Sequence, residues 1–465
     1  MPYTMRHPAK DLILAIDIGT TSMKGGLISP EGVLLGEHRV IYRDKGSMDY
    51  LAWDAQVWVD SLRDIVATLG GFERTQAVCV SGQGPTVVPI SEEGMPLFYA
   101  LLWIDQRRSE RPNTKSFFIP KIAWFKENFA NLYQQTRWFL SCPEFINYFL
   151  TGKAATVSPN PEFHPYFWSA EELKAYHLDA HRFPEFVESG QIIGLVTERA
   201  SRLTGIPPGV PVVAGGSDFL MALLGSATVE VGCVCDRAGT SEGVNLCCER
   251  PLEVKGVRTL PHIIPGLFNA SGILSSTGRL FEWLRQITGQ VDRTYRDIIQ
   301  DIANLPTQRS RPLFVPALRG DEDFQFAEGA FLDLHPEHDR RDLGRAVVES
   351  IGFGIRKILD TFEESGYTVK EVRVTGGQAR NVIWNQMKAD MTGCIVLVPE
   401  IEDAELLGCA ICALTALGYF PTLVNASKSL MRLRARYTPR EDRYAQYQQA
   451  YKEYWDRWNK SMGNL

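Results

Sequence analysis

The chain has 465 residues, which is too long for one ordinary hydrophobic core and favours two domains. Its 49 basic and 55 acidic residues leave a formal net charge of −6, which favours solubility and argues against a nucleic-acid or anionic-membrane partner. No run of residues approaches the ~20 apolar positions of a membrane span, and we expect no secretory signal in the short, polar segment MPYTMRHPAKD.

The nine cysteines are scattered along the chain, and their odd number does not suggest a disulfide framework. We therefore expect a reduced, cytoplasmic protein. Cys409 and Cys412 form a C-x-x-C within the small-residue helical stretch LLGCAICALTALG. No second cysteine pair or histidine is near in sequence, so packing is the expected role rather than metal binding or redox chemistry.

Strand-like and helical stretches alternate along the chain, which indicates an α/β fold. LILAIDIG, MKGGLIS and VLLGEHRV predict three short strands joined by the turns GTTS and SPEG, and QAVCVSG and TVVPIS predict two more. PKIAWFKEN and SCPEFINYFLTGK predict helices, the second ending at Gly152. Consecutive hairpins at the start are unusual, because parallel sheets normally begin strand–helix–strand.

The first hairpin turn carries residue types that bind phosphate. Asp17 ends the first strand, and Gly19, Thr20, Thr21 and Ser22 follow it. A glycine lets the backbone approach an anion, N–H groups and hydroxyls can cradle it, and a nearby Asp can hold the accompanying Mg²⁺. A tight hairpin whose hydroxyls are satisfied internally is the alternative. Neither the P-loop nor the dinucleotide-binding fingerprint applies.

A second stretch, GCVCDRAGTSEGVNLCC, is similar to this opening hairpin. Gly239-Thr240 corresponds to Gly19-Thr20, and Arg237 stands where the first copy has Asp17. We interpret this as a weak internal duplication with a boundary near residues 228–236. The pattern predicts two phosphate-binding turns, of which only the first offers a carboxylate for a metal ion.

Two later glycine pairs also precede helices. In VVAGGSDFLMALLG, Asp218 opens an apolar helical run, where it is either an N-cap or a general base that accepts a proton from an incoming hydroxyl. In EVRVTGGQARNVIWNQMKADMTG, a strand ends at Gly376-Gly377, and a helix is predicted from about Ala379 through Met391. Such glycines let a flat ring lie against the backbone or serve only a tight turn.

The tail DRYAQYQQAYKEYWDRWNK places aromatic residues at helical three- and four-residue steps. We expect a terminal helix docked on its own domain. A partner-binding helix is the alternative.

Together these stretches resemble the FGGY family of carbohydrate kinases, which includes xylulokinase, glycerol kinase and gluconokinase. The resemblance spans roughly Leu12 to Phe420 and rests on DIGTTSMK, WIDQR, GGSD, AGTSEG and TGGQARNVIWNQMKAD. PKIAWFKEN and GAFLDLHPEHDRRDLGRAVVES also resemble family patterns, although Asp333 stands where the family usually has Gly. The resemblance implies two ribonuclease-H-like (actin-like ATPase) domains with a central cleft: residues 1–233 on the sugar and phosphate side, and residues 234–465 on the nucleotide side.

The resemblance also implies a role for each matching residue. Asp17 would organise Mg²⁺, and Asp218 would be the catalytic base, while the role of Lys24 stays open. The nucleotide and its phosphates would be bound by Gly19, Thr20, Thr21, Ser22, Gly239, Thr240, Gly278, Gly376, Gly377, Gln378 and Asn381. The sugar would contact Gln83, Trp103, Asp105, Arg107, Asp218 and Phe219.

The implied activity is transfer of the γ-phosphate of ATP, with Mg²⁺, to a hydroxyl of a small sugar. Three sugar-side features depart from xylulokinases: Gly84-Pro85-Thr86 replaces Met-His-Gly, Phe219 replaces a polar residue, and the stretch from Arg107 to Pro120 is short. A ketose such as xylulose is the first expectation, a polyol the second and an aldonate the third. A homodimer is a further expectation. The alternatives are a non-catalytic sugar sensor and an actin-like ATPase.

Overall fold

The computed structural model describes residues 11–42, 52–70, 72–109, 114–239, 241–275, 277–306, 309–316 and 329–463. The strands are β1 (Leu12–Ile18), β2 (Ser22–Ile28), β3 (Leu34–Ile41), β4 (Ala52–Trp53), β5 (Thr75–Gly82), β6 (Val88–Ile90), β7 (Ala100–Leu101), β8 (Trp138–Leu140), β9 (Thr156–Ser158), β10 (Phe186–Glu188), β11 (Ile192–Leu195), β12 (Pro211–Ser217), β13 (Val234–Ala238), β14 (Glu242–Cys248), β15 (Arg258–Pro261), β16 (Phe268–Leu274), β17 (Leu313–Val315), β18 (Ala330–Leu332), β19 (Glu371–Thr375), β20 (Ile395–Pro399) and β21 (Leu433–Tyr437).

The helices are α1 (Gln56–Leu69), α2 (Ile119–Asn128), α3 (Ala130–Gln135), α4 (Cys142–Thr151), α5 (His164–Phe167), α6 (Ala170–Ala175), α7 (Glu198–Thr204), α8 (Asp218–Gly225), α9 (Thr277–Ile287), α10 (Tyr295–Ala303), α11 (Arg340–Glu364), α12 (Val382–Thr392), α13 (Ala404–Ala416), α14 (Leu423–Leu430) and α15 (Glu441–Gly463). Short 3₁₀ turns span Phe72–Arg74, Pro161–Phe163, Ala180–Arg182 and Gly377–Arg380. The strands and helices predicted in the first half of the chain are present, and α4 ends at Gly152, which has a left-handed φ of 69°.

The chain divides into two compact units. Unit 1 holds the described residues up to Ala227 together with Pro261–Pro265 and Ala404–Met431, and unit 2 holds the others. This differs from a single division after residue 233, because α13 and α14 belong to unit 1. Helix α13 is buried over most of its length and packs against α8 of the same unit.

Unit 1 is built on a sheet with the strand order β11-β12-β5-β1-β2-β3. β1, β2 and β3 form consecutive antiparallel pairs, whereas β1, β5 and β12 run parallel. Every residue of β1 is buried, as expected for a strand covered on both faces. Helix α1 packs on one face, where Ile65 contacts Gly25, and α13 packs on the other, where Leu406 contacts Gly26.

Unit 2 repeats this strand arrangement in a sheet with the order β15-β16-β14-β13-β19-β20-β21. β13 and β14 form an antiparallel hairpin, β16 pairs antiparallel with β14, and β13, β19 and β20 run parallel. The five central strands therefore match β3-β2-β1-β5-β12 of unit 1 in order and direction. This agrees with the internal duplication that the two Gly-Thr stretches indicate.

The C-terminal helix α15 docks on its own unit, as its aromatic pattern predicts. Tyr454 is buried, and its hydroxyl donates a hydrogen bond to the Phe314 carbonyl oxygen at 3.0 Å. Tyr447, Tyr451, Trp455 and Trp458 pack against the same hydrophobic core.

All nine cysteines are unbridged, and Cys409 and Cys412 are fully buried in α13, which agrees with a packing role. Within the described ranges, no helix combines the length and apolar character needed to cross a membrane.

Candidate active site

The first Gly-Thr turn joins β1 to β2 in unit 1. The Gly19 N–H donates a hydrogen bond to the Ser22 carbonyl oxygen at 2.9 Å, which closes the hairpin. A Cβ at Gly19 would lie 3.0 Å from that same oxygen, so a side chain there would force the turn to shift. Thr21 is exposed and Ser22 is buried. The turn therefore presents its middle residues at the end of a rigid pair of strands.

Asp17 lies near the carboxyl end of β1 and is almost completely buried. Its Oδ1 accepts a hydrogen bond from the Ser81 hydroxyl at 2.8 Å, and Oδ2 is 4.0 Å from Lys24 Nζ, its register partner on β2. Burial and the Glu405 carboxylate raise the pKa of Asp17 to about 7, and Asp218 also contributes. Lys24 acts in the opposite direction.

Glu405 was not among the predicted site residues. It is buried in the first turn of α13, and its effect on Asp17 shows that the two carboxylates lie within electrostatic range. The clue that could have identified Glu405 is its place as the acidic residue at the start of an otherwise apolar helix. Burying a carboxylate in such a helix costs free energy unless a cation or hydrogen-bond donors compensate its charge.

Thr20 connects residues predicted to bind phosphate and residues predicted to bind sugar. Its hydroxyl donates a hydrogen bond to Gln83 Oε1 at 3.1 Å and accepts one from Trp103 Nε1 at 3.0 Å. Trp103 is 47% exposed, whereas Gln83 is buried, and its Nε2 has no hydrogen-bond partner among the described residues. An amide donor in that position is suited to a hydroxyl of a bound molecule.

Asp105 and Arg107 form a bidentate ion pair. Arg107 Nη2 lies 2.6 Å from Asp105 Oδ2, Nε donates to the same carboxylate, and the guanidinium lies 4.9 Å from the centre of the Trp124 ring. Lys121, one turn before Trp124, donates hydrogen bonds to the carbonyl oxygens of Leu102 and Pro85. Burial lowers the pKa of Lys121 to about 8. Lys121 and Trp124, the two residues of the Lys-x-x-Trp motif, therefore both contact the segments that carry the predicted sugar-side residues.

Asp218 is the first residue of α8 and follows directly from β12. Ser217 occupies the N-cap position, so the simple N-cap interpretation of Asp218 is wrong. Instead, Asp218 Oδ1 accepts a hydrogen bond from the Phe219 N–H at 2.7 Å. β1 and β12 both run parallel to β5, which brings Asp17 and Asp218 to the same edge of the sheet. Phe219 is partly exposed beside them.

Unit 2 brings its two predicted glycine turns together. The Gly239 N–H donates to the Ser241 carbonyl oxygen at 2.9 Å, and the Gly239 carbonyl oxygen accepts from Gln378 Nε2 at 3.4 Å. Gly376 packs so tightly on the end of β13 that a Cβ there would lie 2.4 Å from the Ala238 carbonyl oxygen. The exposed Gly377 completes this surface.

The remaining nucleotide-side residues differ in position. Thr240 lies outside the described residues, and Gly278 lies in the first turn of α9. Asn381 caps α12, because its Oδ1 accepts hydrogen bonds from the N–H groups of Ile383 and Trp384 at 3.1 Å. α12 therefore begins at Val382 rather than near Ala379.

Comparison with known proteins identifies the family. The model of the FGGY family of carbohydrate kinases, N-terminal domain, matches residues 12–115 and 111–225, and that of the C-terminal domain matches residues 237–417. The chain belongs to the FGGY family of carbohydrate kinases. It is therefore a sugar kinase, with two actin-like, ribonuclease-H-like domains.

Curated FGGY relatives carry different names. A xylulose kinase of Lactococcus lactis is 25% identical over 477 residues, which cover 94% of this chain and 95% of that protein. An autoinducer-2 kinase of Escherichia coli is 24% identical over 495 residues, covering 95% and 92%. The FGGY kinase described here is thus similar along almost its whole length to enzymes named for different substrates.

Solved structures share the fold. A gluconate kinase from Lactobacillus acidophilus has a TM-score of 0.82 at 19% identity and covers 97% of this chain and 98% of its own. A Plasmodium falciparum glycerol kinase solved with ADP has a TM-score of 0.81 at 18% identity, with 98% of both chains covered. At these identities the likeness concerns the fold alone.

Proposed function

We propose that this FGGY kinase transfers the γ-phosphate of ATP to a hydroxyl of a small neutral sugar, with a ketose such as xylulose as the first candidate. The observation that carries the proposal is the pair of carboxylates, Asp17 and Asp218, at one edge of the unit 1 sheet and within electrostatic range of each other. Phosphoryl transfer from ATP needs one carboxylate on the metal side and one on the acceptor side. A non-catalytic sensor would need neither.

The residues near Asp17 fit a Mg²⁺ ion that accompanies ATP. A divalent cation would offset the repulsion that Glu405 and Asp218 exert on the buried Asp17 carboxylate. Mg²⁺ bound to nucleotide phosphates usually takes only one or two protein carboxylates. This agrees with the finding that the described residues hold no cluster of three or more ligating side chains. When bound, Mg²⁺ would neutralise charge on the transferred phosphoryl group.

Asp218 would act on the acceptor sugar. Its carboxylate would orient the reacting hydroxyl and take the proton as the new oxygen–phosphorus bond forms. The Phe219 N–H holds Oδ1 at 2.7 Å, so the chain itself fixes the orientation of the carboxylate. Proper orientation is the main contribution that a kinase makes to a loose transition state.

The two Gly-Thr turns would divide the binding of ATP. In unit 1, the Gly19–Ser22 turn would contact the terminal phosphates through backbone N–H groups and hydroxyls. In unit 2, the Gly239-Thr240 turn would contact the phosphates from the other half of the chain, and Gly376-Gly377 with Gln378 would accept the nucleoside. Gly278 and Asn381 are assigned to the same nucleotide side by their place in the family motifs.

The charges on the sugar side favour a neutral acceptor. Arg107 is already neutralised by Asp105 in a bidentate pair, so an aldonate carboxylate would have to compete with a protein carboxylate for it. Gln83 presents an amide donor without a partner among the described residues, which suits a hydroxyl group, and the exposed Trp103 ring offers an apolar surface because its N–H is already donated to Thr20. The relatives named xylulose kinase support a ketose as the first candidate for the acceptor. A polyol is the second candidate and an aldonate the third. Cytoplasmic location and a homodimer stay predictions.

The test measures ADP release from Mg²⁺-ATP in the presence of D-xylulose, glycerol, erythritol or gluconate. We expect a neutral ketose to stimulate release far above background and at lower concentration than gluconate. Stimulation by gluconate alone would contradict the neutral acceptor. Steady ATP hydrolysis without any sugar would favour an actin-like ATPase, and the absence of turnover with every compound would favour a sensor.

A further inference from the structure

A buried cluster of one lysine and two carboxylates lies beneath the second Gly-Thr turn in unit 2. Lys388 Nζ, on α12, donates hydrogen bonds to Asp236 Oδ2 on β13 and to Glu242 Oε1 on β14, the latter at 2.5 Å. Each of the three side chains is at most 2% exposed. Neither Gly-Thr motif includes Lys388, and its partners lie roughly 150 residues away in the chain.

The two carboxylates stand on opposite sides of the turn that contains Gly239. Asp236 precedes Gly239 by three residues on one strand, and Glu242 follows it by three residues on the other. By binding both, the Lys388 ammonium holds the bases of the two strands at a fixed separation from α12. The conformation of the turn between them then depends on a contact made from below.

A second set of contacts leads from Lys388 to the same turn from the other side. Its Nζ lies 5.3 Å from the centre of the Trp384 ring, on the same helix. Trp384 Nε1 donates to Gln378 Oε1 at 2.9 Å, and Gln378 Nε2 donates to the Gly239 carbonyl oxygen at 3.4 Å. Lys388 is thus connected to Gly239 in two ways, through the strands that carry Asp236 and Glu242 and through the side chains of Trp384 and Gln378. The second connection includes the Gly376–Gln378 turn.

The electrostatics show that the cluster depends on its lysine. Burial and the neighbouring Glu242 carboxylate raise the pKa of Asp236 to about 8, whereas Lys388 acts in the opposite direction. The two carboxylates raise the pKa of Lys388 despite its burial. Without the ammonium, two acidic groups would remain in contact in an apolar interior, and they would be expected to separate or to take up protons.

We propose that Lys388 is a positioning residue for nucleotide binding, which fixes the Gly239 turn and the Gly376–Gln378 turn relative to each other. The inference rests on the proposed function, because that function assigns the nucleotide to these turns. Lys388 is buried, and among the described residues its ammonium contacts Asp236, Glu242 and the Trp384 ring. Its loss should therefore weaken binding of the nucleotide without affecting the acceptor sugar, whose predicted contacts lie in unit 1.

The experiment measures ADP binding by titration calorimetry, together with the KM values for ATP and for the acceptor sugar. Lys388→Met should weaken ADP binding at least tenfold and raise the KM for ATP, with the KM for the sugar unchanged. Trp384→Phe keeps a buried ring but removes the hydrogen bond to Gln378, and should weaken ADP binding about two- to tenfold. Arg440→Met is the matched control, because it breaks an ion pair with Asp390 on the same helix, away from the turns.

Each outcome decides the question. ADP binding by Lys388→Met within twofold of the wild type would overturn the proposal, as would an equal loss in Arg440→Met, which would indicate general destabilisation. If Lys388→Met does not fold, unchanged ADP binding by Trp384→Phe would overturn it, and a selective loss would support it. Failure of the wild-type protein itself to bind ADP would contradict the proposed function, and this inference would fall with it.

Discussion

Substitution of Gly376 by alanine tests the geometry of the nucleotide-side turn most sharply. Gly376 has φ = 82° and ψ = −174°, a backbone conformation that is essentially restricted to glycine. An added Cβ would also lie 2.4 Å from the Ala238 carbonyl oxygen, a backbone atom that cannot rotate away. We therefore expect Gly376→Ala to destabilise unit 2 and to displace the end of β13, where the Gly239 turn begins.

The expected loss has two parts. The strained backbone conformation costs about 1–3 kcal/mol, and the displacement of packed backbone atoms costs about 1–3 kcal/mol more. The free energy of unfolding of unit 2 should thus fall by about 2–6 kcal/mol. In a unit of about 200 residues, each kcal/mol corresponds to about 2–4 °C. We expect a decrease in the unfolding midpoint of at least about 4 °C.

The assay is thermal unfolding followed by calorimetry, with Gly377→Ala as the control. Gly377 is the next residue in the same turn, but a Cβ there meets no atom within 4 Å, and its φ is not left-handed. Its substitution should change the stability by less than about 0.5 kcal/mol. Equal midpoints for the two variants would refute the reasoning, as would a larger loss in Gly377→Ala.

Three further predictions concern unit 1. Asp105→Asn should free Arg107 from its ion pair, which should lower the KM for gluconate relative to that for a neutral sugar; an unchanged ratio would contradict this. Burial raises the pKa of Glu144 from 4.5 to about 7, so its contribution to the free energy of unfolding should fall by about 3 kcal/mol between pH 4.5 and 7. Urea titrations should show a fall that is smaller by about this amount in Glu144→Gln, where Asp17 still titrates, and an equal fall in the two proteins would contradict this. Gly408→Ala should reduce soluble expression or thermal stability severely, because its Cβ would lie 2.1 Å from the Met221 carbonyl oxygen, whereas a near-wild-type midpoint would contradict this packing.

The local features of the site could be predicted because they depend on residues that are close in sequence. The turn at Gly19–Ser22 needs only a strand, a glycine and a second strand, and the structure has this hairpin. The pairing of Arg107 with Asp105 also depends on local geometry, since the two residues are two positions apart. In these cases sequence spacing nearly determines distance.

The long-range features could not be predicted from the pattern. Glu405 affects Asp17 only because α13 returns to pack beside β1 in unit 1. The cluster of Lys388 with Asp236 and Glu242 joins segments roughly 150 residues apart, and each residue alone has an ordinary interpretation on its own strand or helix. Only tertiary packing places such charges together.

The most direct test of the central claim is transfer of labelled phosphate from ATP to the sugar that the acceptor panel identifies, with wild type and Asp218→Asn compared. Asparagine can still accept the hydrogen bond from the Phe219 N–H but cannot take the proton. The control, Asp11→Asn, removes a partly exposed carboxylate that is paired with Arg74. The account predicts that Asp218→Asn loses about 10²–10⁴ in kcat, whereas the control keeps the wild-type rate. A wild-type rate in Asp218→Asn would contradict it.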